Sequence, residues 1–215
     1  PTNKPAVRCM CGEITSRKIT TTEGGFGNGN KPLKIYYKKW PGHNAGSVFW
    51  NYERNLAKGD SSRKDIAYPV WGHTWENPSD PGAEGVALGE EFSYTVNVHK
   101  NTMYLAFESP SRETVKYRIN LANNVDAYGQ VDPKDNRYSY GGDSLYFKAG
   151  AYNQCSTKDA EGFWYAACGG TGDWATDKAN GDYTQVAFTK LVVGDSTAPE
   201  ATVPDVTAPD SAASE

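Results

Sequence analysis

A phenol and an ammonium held side by side can move protons. The segment Leu145-Tyr-Phe-Lys-Ala-Gly-Ala-Tyr-Asn-Gln154 offers that pairing on one strand. Successive side chains of a strand point to opposite sides. Tyr146, Lys148, Gly150, Tyr152 and Gln154 therefore share one face, and Leu145, Phe147, Ala149 and Ala151 share the other. The second set is apolar and small enough to lie on a core. The first is polar and aromatic, and Gly150 leaves room for a ligand to approach the backbone. That is the layout of a ligand-facing strand. Gln154 can hydrogen-bond a polar ligand. The plain alternative is an ordinary half-exposed strand.

Three histidines are available for proton transfer. In Val70-Trp-Gly-His-Thr-Trp75, alternation predicts Trp71, His73 and Trp75 on one face, an imidazole between two indoles suited to stacking on a sugar. His43 lies in Trp40-Pro-Gly-His-Asn-Ala-Gly46, a loop placed to overhang a groove. His99 reads as a turn residue. In Val48-Phe-Trp-Asn-Tyr-Glu-Arg54, inward packing of Trp50 and Tyr52 would turn Asn51 and Glu53 outward, with Arg54 at the strand end. Asn51 and Arg54 can then bind a carboxylate, Arg54 in bidentate fashion. The competing reading of Glu53 and Arg54 is a surface ion pair. Asp173, Asp177, Asn180 and Asp182 surround two glycines, and their hard oxygens suit a structural calcium, with Asp182 as its candidate ligand. Solvated turn acids are the alternative.

The elements that must position these residues read as strands. Runs at 34–40, 47–54, 67–75, 92–98, 102–108, 115–119, 144–152, 162–167 and 186–193 are separated by turn signals, with His99-Lys-Asn101 as a hairpin turn. Only 159–163 can make a brief helical turn. High counts of 14 Tyr, 6 Trp and 22 Gly in 215 residues fit an all-β fold with tight turns, a sandwich or jelly roll. One domain is expected over 1–194. Residues 195–215 are rich in Ala, Ser, Thr, Pro and acids and lack aromatics, which predicts a disordered tail or linker.

The net charge of −4 comes largely from that tail. Its five acids, Asp195, Glu200, Asp205, Asp210 and Glu215, leave 22 basic against 21 acidic residues in the body, about +1. A neutral body argues against nucleic-acid binding. No run reaches the roughly 18 apolar residues of a membrane helix, so no membrane partner is expected. The chain starts at Pro1, as a processed product would. Cys155 and Cys168 bracket a 12-residue insert, and Cys9 and Cys11 lie two apart. Four cysteines allow three pairings, and the spacing matches no usual zinc site. A secreted, extracellular setting is the expectation.

Tyr146-Phe-Lys-Ala-Gly-Ala-Tyr-Asn-Gln154 closely resembles the YFKAG-x-YNQ strand of the alginate-lyase-like polysaccharide lyases, which are β-jelly rolls. Tyr183-Thr-Gln-Val-Ala-Phe-Thr-Lys-Leu-Val-Val193 looks like the closing strand of that fold, and Gly89-Glu-Glu-Phe-Ser-Tyr-Thr-Val96 like a central one. The family's R-S/T-E-L/V-R and Q-I/V-H signatures are absent. Glu53-Arg54 is a loose echo of the first. These departures, a short domain and paired cysteines make the chain look more like the family 20 lyases, the endo-β-1,4-glucuronan lyases of filamentous fungi.

The resemblance implies two antiparallel sheets with a concave substrate groove and an endo-acting β-elimination on an acidic polysaccharide, glucuronan, by a monomer. Tyr152 falls at the family's catalytic tyrosine, and Lys148, Gln154 and Tyr146 at groove positions. Elimination removes the proton at C5, and O4 leaves with a proton. In a β-1,4-glucuronan both lie on one side of the ring, so Tyr152 can act as base and then acid. His73 or His43 is the other candidate for one of these steps. No cofactor is required for this chemistry, and any calcium would be structural. Alginate is the alternative substrate. A carbohydrate-binding module without catalysis would keep Trp71 and Trp75 but not need Tyr152 with Lys148. A retaining hydrolase would need paired carboxylates, and no E-x-D-x-x-E strand occurs.

Overall fold

A computed structural model describes residues 7–17, 29–40, 42–153, 155–156, 166–167, 173–180 and 183–194; residues 7–11, 13–17, 152–153, 155–156, 166–167 and 180 are described by backbone alone. The strands are β1 (Val7–Arg17), β2 (Leu33–Lys39), β3 (Ser47–Glu53), β4 (Asp65–Trp71), β5 (Ser93–His99), β6 (Thr102–Ser109), β7 (Arg112–Asn120), β8 (Ser144–Asn153), β9 (Cys155–Ser156) and β10 (Ala166–Ala167). Among the described residues a 3₁₀ turn at Gly82–Glu84 and one α-helix, α1 (Trp174–Asn180), accompany them. Two antiparallel sheets make up the β-jelly-roll body, a five-stranded one ordered β4-β3-β2-β1-β8 and a three-stranded one ordered β5-β6-β7. The short β9 and β10 pair in parallel.

Period-two alternation sorts each strand of the larger sheet into two faces. Leu33, Ile35 and Tyr37 of β2, Val48, Trp50 and Tyr52 of β3, and Tyr68 of β4 are buried against Met103, Leu105 and Phe107 of β6 and Tyr117 and Ile119 of β7. This is the core between the sheets. Trp50 stacks on Tyr68 with centroids 4.4 Å apart and meets Tyr117 of the opposite sheet edge-on at 5.3 Å. The Tyr117 hydroxyl donates to the Pro69 carbonyl, tying the sheets together at that point. Burial pushes the Tyr68 and Tyr117 phenols well above their ordinary pKa, so both remain neutral, and the Tyr68 hydroxyl accepts the Ala127 amide at 3.3 Å. Where β1 crosses the core, a Cβ on Gly12 would come 2.9 Å from the Tyr94 hydroxyl, so a larger residue there would require that ring to shift.

The expected hairpin at 99–101 is present. His99 pairs with Thr102, and Lys100 and Asn101 take φ of 46° and 62°, the left-handed pair of a two-residue turn. The long loop after β7 is clamped to the exit of β3 by a buried polar network. Asp135 accepts hydrogen bonds from Tyr52 Oη at 2.7 Å and from the Asn55 and Asn136 amides at 2.8 Å each. Asn55 in turn donates to Ser139 O at 2.7 Å and accepts from Asn30 at 2.7 Å. Burial raises the Asp135 carboxyl above the usual carboxylate range despite these donors.

Four expectations need correction. The strand beginning near 92 is not central; as β5 it lies at one edge of the three-stranded sheet. Strand β1, with few large apolar residues and a bulge at Cys11, is one that the hydrophobic pattern does not reveal, yet it joins β2 to β8. Residues 186–193 carry no regular strand, and Leu191, Val192 and Val193 are exposed. Phe147 is 57% exposed rather than buried, because β8 is the outer strand of the larger sheet; Leu145 alone of its apolar row packs on the core. The insert at 157–165, the helical turn expected at 159–163 and the tail at 195–215 lie outside the described residues, as do the cysteine side chains.

Candidate active site

The second face of the five-stranded sheet carries the candidate chemistry, and the strand register lays it out in rows. Tyr152 of β8 pairs with Met10 of β1, Met10 with Tyr36 of β2, Tyr36 with Phe49 of β3, and Phe49 with Pro69 of β4. The neighbouring row runs Lys148, Glu13, Lys34, Asn51, Ala67. The register shifts by one residue between Met10 and Gly12 against both β2 and β8, so Tyr152 and Lys148, four apart on β8, fall in rows set by Tyr36 and Lys34, two apart on β2. Tyr146 follows on the same face, paired with Thr15. Lys148 Nζ lies 5.2 Å from the Tyr146 ring centroid, a cation–π contact that orients the ammonium along β8. Tyr146 is 42% exposed and Lys148 is exposed too. Tyr152 is described by backbone alone, and Gln154 lies outside the described residues.

The β2–β3 half of this face is closed. Inward packing of Trp50 and Tyr52 does turn Asn51 and Glu53 to the opposite face, as expected. There they enter an ion-pair network. Lys34 Nζ donates to both Asp65 oxygens at 2.6 and 2.7 Å and lies 3.5 Å from Glu53. Arg63 Nε donates to Glu53 at 2.8 Å, and the Lys31 amide at 3.0 Å. Asn51 is fully buried and donates to Asp65 at 3.3 Å, and among the described residues its Oδ1 accepts no hydrogen bond. Arg54 is a correction: Asp132 takes its Nε at 2.7 Å and the Ser62 carbonyl takes a second N–H at 3.1 Å, so its guanidinium is engaged by flanking loops.

The proposed Trp71–His73–Trp75 platform does not form. A bulge at Val70 shifts the alternation, so Trp71 pairs with Val48 and packs in the inter-sheet core against Phe92 at 5.8 Å. Strand β4 ends there, and Gly72, at φ +80°, turns the chain. Trp75 therefore reaches the other face, meeting Tyr36 edge-on at 4.9 Å and Phe49 at 4.5 Å. The His73 amide donates to Ser47 Oγ at 2.9 Å, which sets this turn beside β3. His43 sits in the β2–β3 turn, its amide bonded to Trp40 O at 3.2 Å. Asp80 lies near it; the Asn44 and Gly82 amides, with His43 adding, hold that carboxyl below its usual range.

Three residues of this face escaped the candidate set: Lys34, Tyr36 and Lys38. Their two-residue spacing in Lys34-Ile-Tyr-Tyr-Lys-Lys-Trp40 was the available signal. The calcium candidates are altered by α1, since Asp173 caps that helix by accepting the Thr176 amide at 2.8 Å. Asp182 lies outside the described residues, and among the described residues no group of three or more His, Cys, Asp or Glu is placed to hold a metal ion.

The family model described as "Alginate lyase" matches residues 4–195. An alginate lyase of Klebsiella pneumoniae is 33% identical over 133 residues, 60% of this chain and 39% of that protein. The crystal structure of an exolytic PL7 alginate lyase from Zobellia galactanivorans superposes with a TM-score of 0.63 at 34% identity, covering 84% of this chain and 65% of that one. This chain thus spans about two fifths of the first relative's length and about two thirds of the second's. With the matching model extending over most of its residues, the chain belongs to the alginate lyase family.

Proposed function

We propose that this protein is a polysaccharide lyase that cleaves a 4-linked polyuronate by β-elimination. The observation that carries the reading is the register of β8: it sets Tyr152 and Lys148 in adjacent rows of one sheet face, on the strand that matches the family motif. Lys148, anchored over Tyr146, supplies positive charge beside the reacting sugar. That charge favours the tyrosinate and the substrate carboxylate alike. Tyr152 removes the C5 proton, the electron pair moves into a C4–C5 double bond, and the C4–O4 bond breaks. The proton then passes to O4 of the departing chain. No water is consumed and no metal is needed. Gln154 hydrogen-bonds the sugar, and the loops carrying His73 and His43 offer the second proton-transfer group.

Both named relatives are alginate lyases, which favours alginate as substrate. Glucuronan is the second reading. It is favoured by the missing R-S/T-E-L/V-R and Q-I/V-H signatures. The protein acts, in this reading, as a secreted monomer.

Ultraviolet absorbance during incubation with alginate, glucuronan and a neutral β-glucan tests the proposal. Elimination conjugates the new double bond to the carboxylate, and absorbance rises. A rise on one uronan assigns the substrate. No rise on either uronan, with binding retained, contradicts the lyase reading and leaves a carbohydrate-binding module.

A further inference from the structure

We infer that Lys38 is a positioning residue, whose ammonium clasps the 72–77 loop onto β2 and so fixes Trp75 over the row of the sheet face that Tyr152 shares. This rests on the reading of the second sheet face as the site of chemistry. Lys38 is only 3% exposed. Its Nζ donates to Thr74 O at 2.6 Å and to Asn77 O at 3.1 Å, gripping the loop on either side of Trp75. The same atom lies 5.9 Å from the Trp40 ring centroid and 6.0 Å from that of Trp75. These are outer-limit cation–π distances, so the carbonyl bonds give the clasp its direction.

The loop has a second anchor at its start. Ser47, the cross-strand partner of Lys38, accepts the His73 amide at 2.9 Å. Gly72 permits this approach: its φ is +80°, and a Cβ there would lie 2.7 Å from Ser47 Oγ and 2.8 Å from Pro81 Cβ. The residue pair Lys38–Ser47 thus holds both ends of the turn that carries His73 and Trp75.

The consequence falls on Tyr152's own row. Trp75 contacts Tyr36 and Phe49, which the register aligns with Tyr152 through Met10. Two strand steps separate β2 from β8, about 10 Å at the usual inter-strand spacing. That spacing is about the width of one sugar residue. An apolar side chain at position 38 could fill the same volume, but it would let the loop settle in more than one register. A buried ammonium that must keep its acceptors does not.

The test compares Lys38→Met, which keeps length and burial but loses the charge, with Lys38→Arg, Trp75→Ala and the Lys38→Met/Trp75→Ala pair. In free protein, Lys38→Met is expected to shift tryptophan emission and increase quenching by acrylamide. On the cleaved uronan it raises KM about tenfold while changing kcat less, as expected when a binding wall loosens. Lys38→Arg restores part of that loss. The paired variant is no worse than Trp75→Ala, because both act through one loop. Parent-like quenching and KM in Lys38→Met, or additive losses in the pair, overturn the inference. A drop in melting temperature without these changes also overturns it, since that is a purely structural role. The quenching arm needs no substrate, so failure of the lyase reading and failure of the clasp remain distinguishable.

Discussion

The two halves of one sheet face behave differently. On the β8 side, Tyr146 and Lys148 stand exposed, on the strand that ends the larger sheet among the described residues. On the β2–β3 side, Lys34, Tyr36, Lys38, Phe49 and Asn51 are all buried beneath ion pairs and the Trp75 loop. The contrast teaches a division of labour. The open half faces solvent, and the closed half keeps the sheet and its loops in register. Exposed strands tolerate substitution, whereas buried charge networks do not.

The sharpest way to break the comparison is at Tyr152. Tyr152→Phe is expected to lower kcat by about 10²–10⁴-fold, the usual worth of a general acid–base group, with melting unchanged. Loss of fold instead of turnover would move Tyr152 into the structural half. In the core beneath the closed half, Trp50→Ala is expected to cost about 3–5 kcal/mol in chemical denaturation, since Trp50 is fully buried between Tyr68 and Tyr117. Lys34→Met leaves Asp65 and Glu53 without their ammonium. A loss of about 2 kcal/mol is expected, between the limits for surface and buried pairs. Stability equal to the parent would show the network to be dispensable.

Much of this division was legible in the sequence, and its failures have physical causes. The orientation of Asn51 and Glu53 follows from strict alternation, and the hairpin at 99–101 from its turn residues. Bulges defeat alternation: one at Val70 sends Trp71 into the core, away from Trp75, and one at Cys11 marks a strand whose sequence lacks a hydrophobic period. Alternation also says nothing about how far a sheet extends, so Phe147 reads as core and proves exposed on the outer strand. Arg54 reads as a ligand for an anion because its competitor, Asp132, is remote in sequence.

Smaller effects sharpen the contrast further. Arg112, bonded to Glu90, holds that carboxyl down at about 2 from its ordinary 4.5. Because the folded value is depressed, the stabilisation is present above pH 4.5 and is lost as pH falls towards 2. Melting curves of the parent and Arg112→Met should therefore converge through that window; a constant gap would show that Arg112 acts through its contact with Trp71 instead. Smallest of all, Phe147→Ser on the outer strand should change stability by no more than about 0.5 kcal/mol. A larger loss in thermal melting would mean that this face of β8 is covered in the working protein.

The most direct measurement is mass spectrometry of the fragments released by the parent protein from alginate and from glucuronan. The account predicts oligouronides whose new non-reducing ends are lighter by one water than hydrolytic ends, because elimination forms a C4–C5 double bond and adds nothing. Fully hydrated ends would contradict it and assign the open face of β8 to hydrolysis.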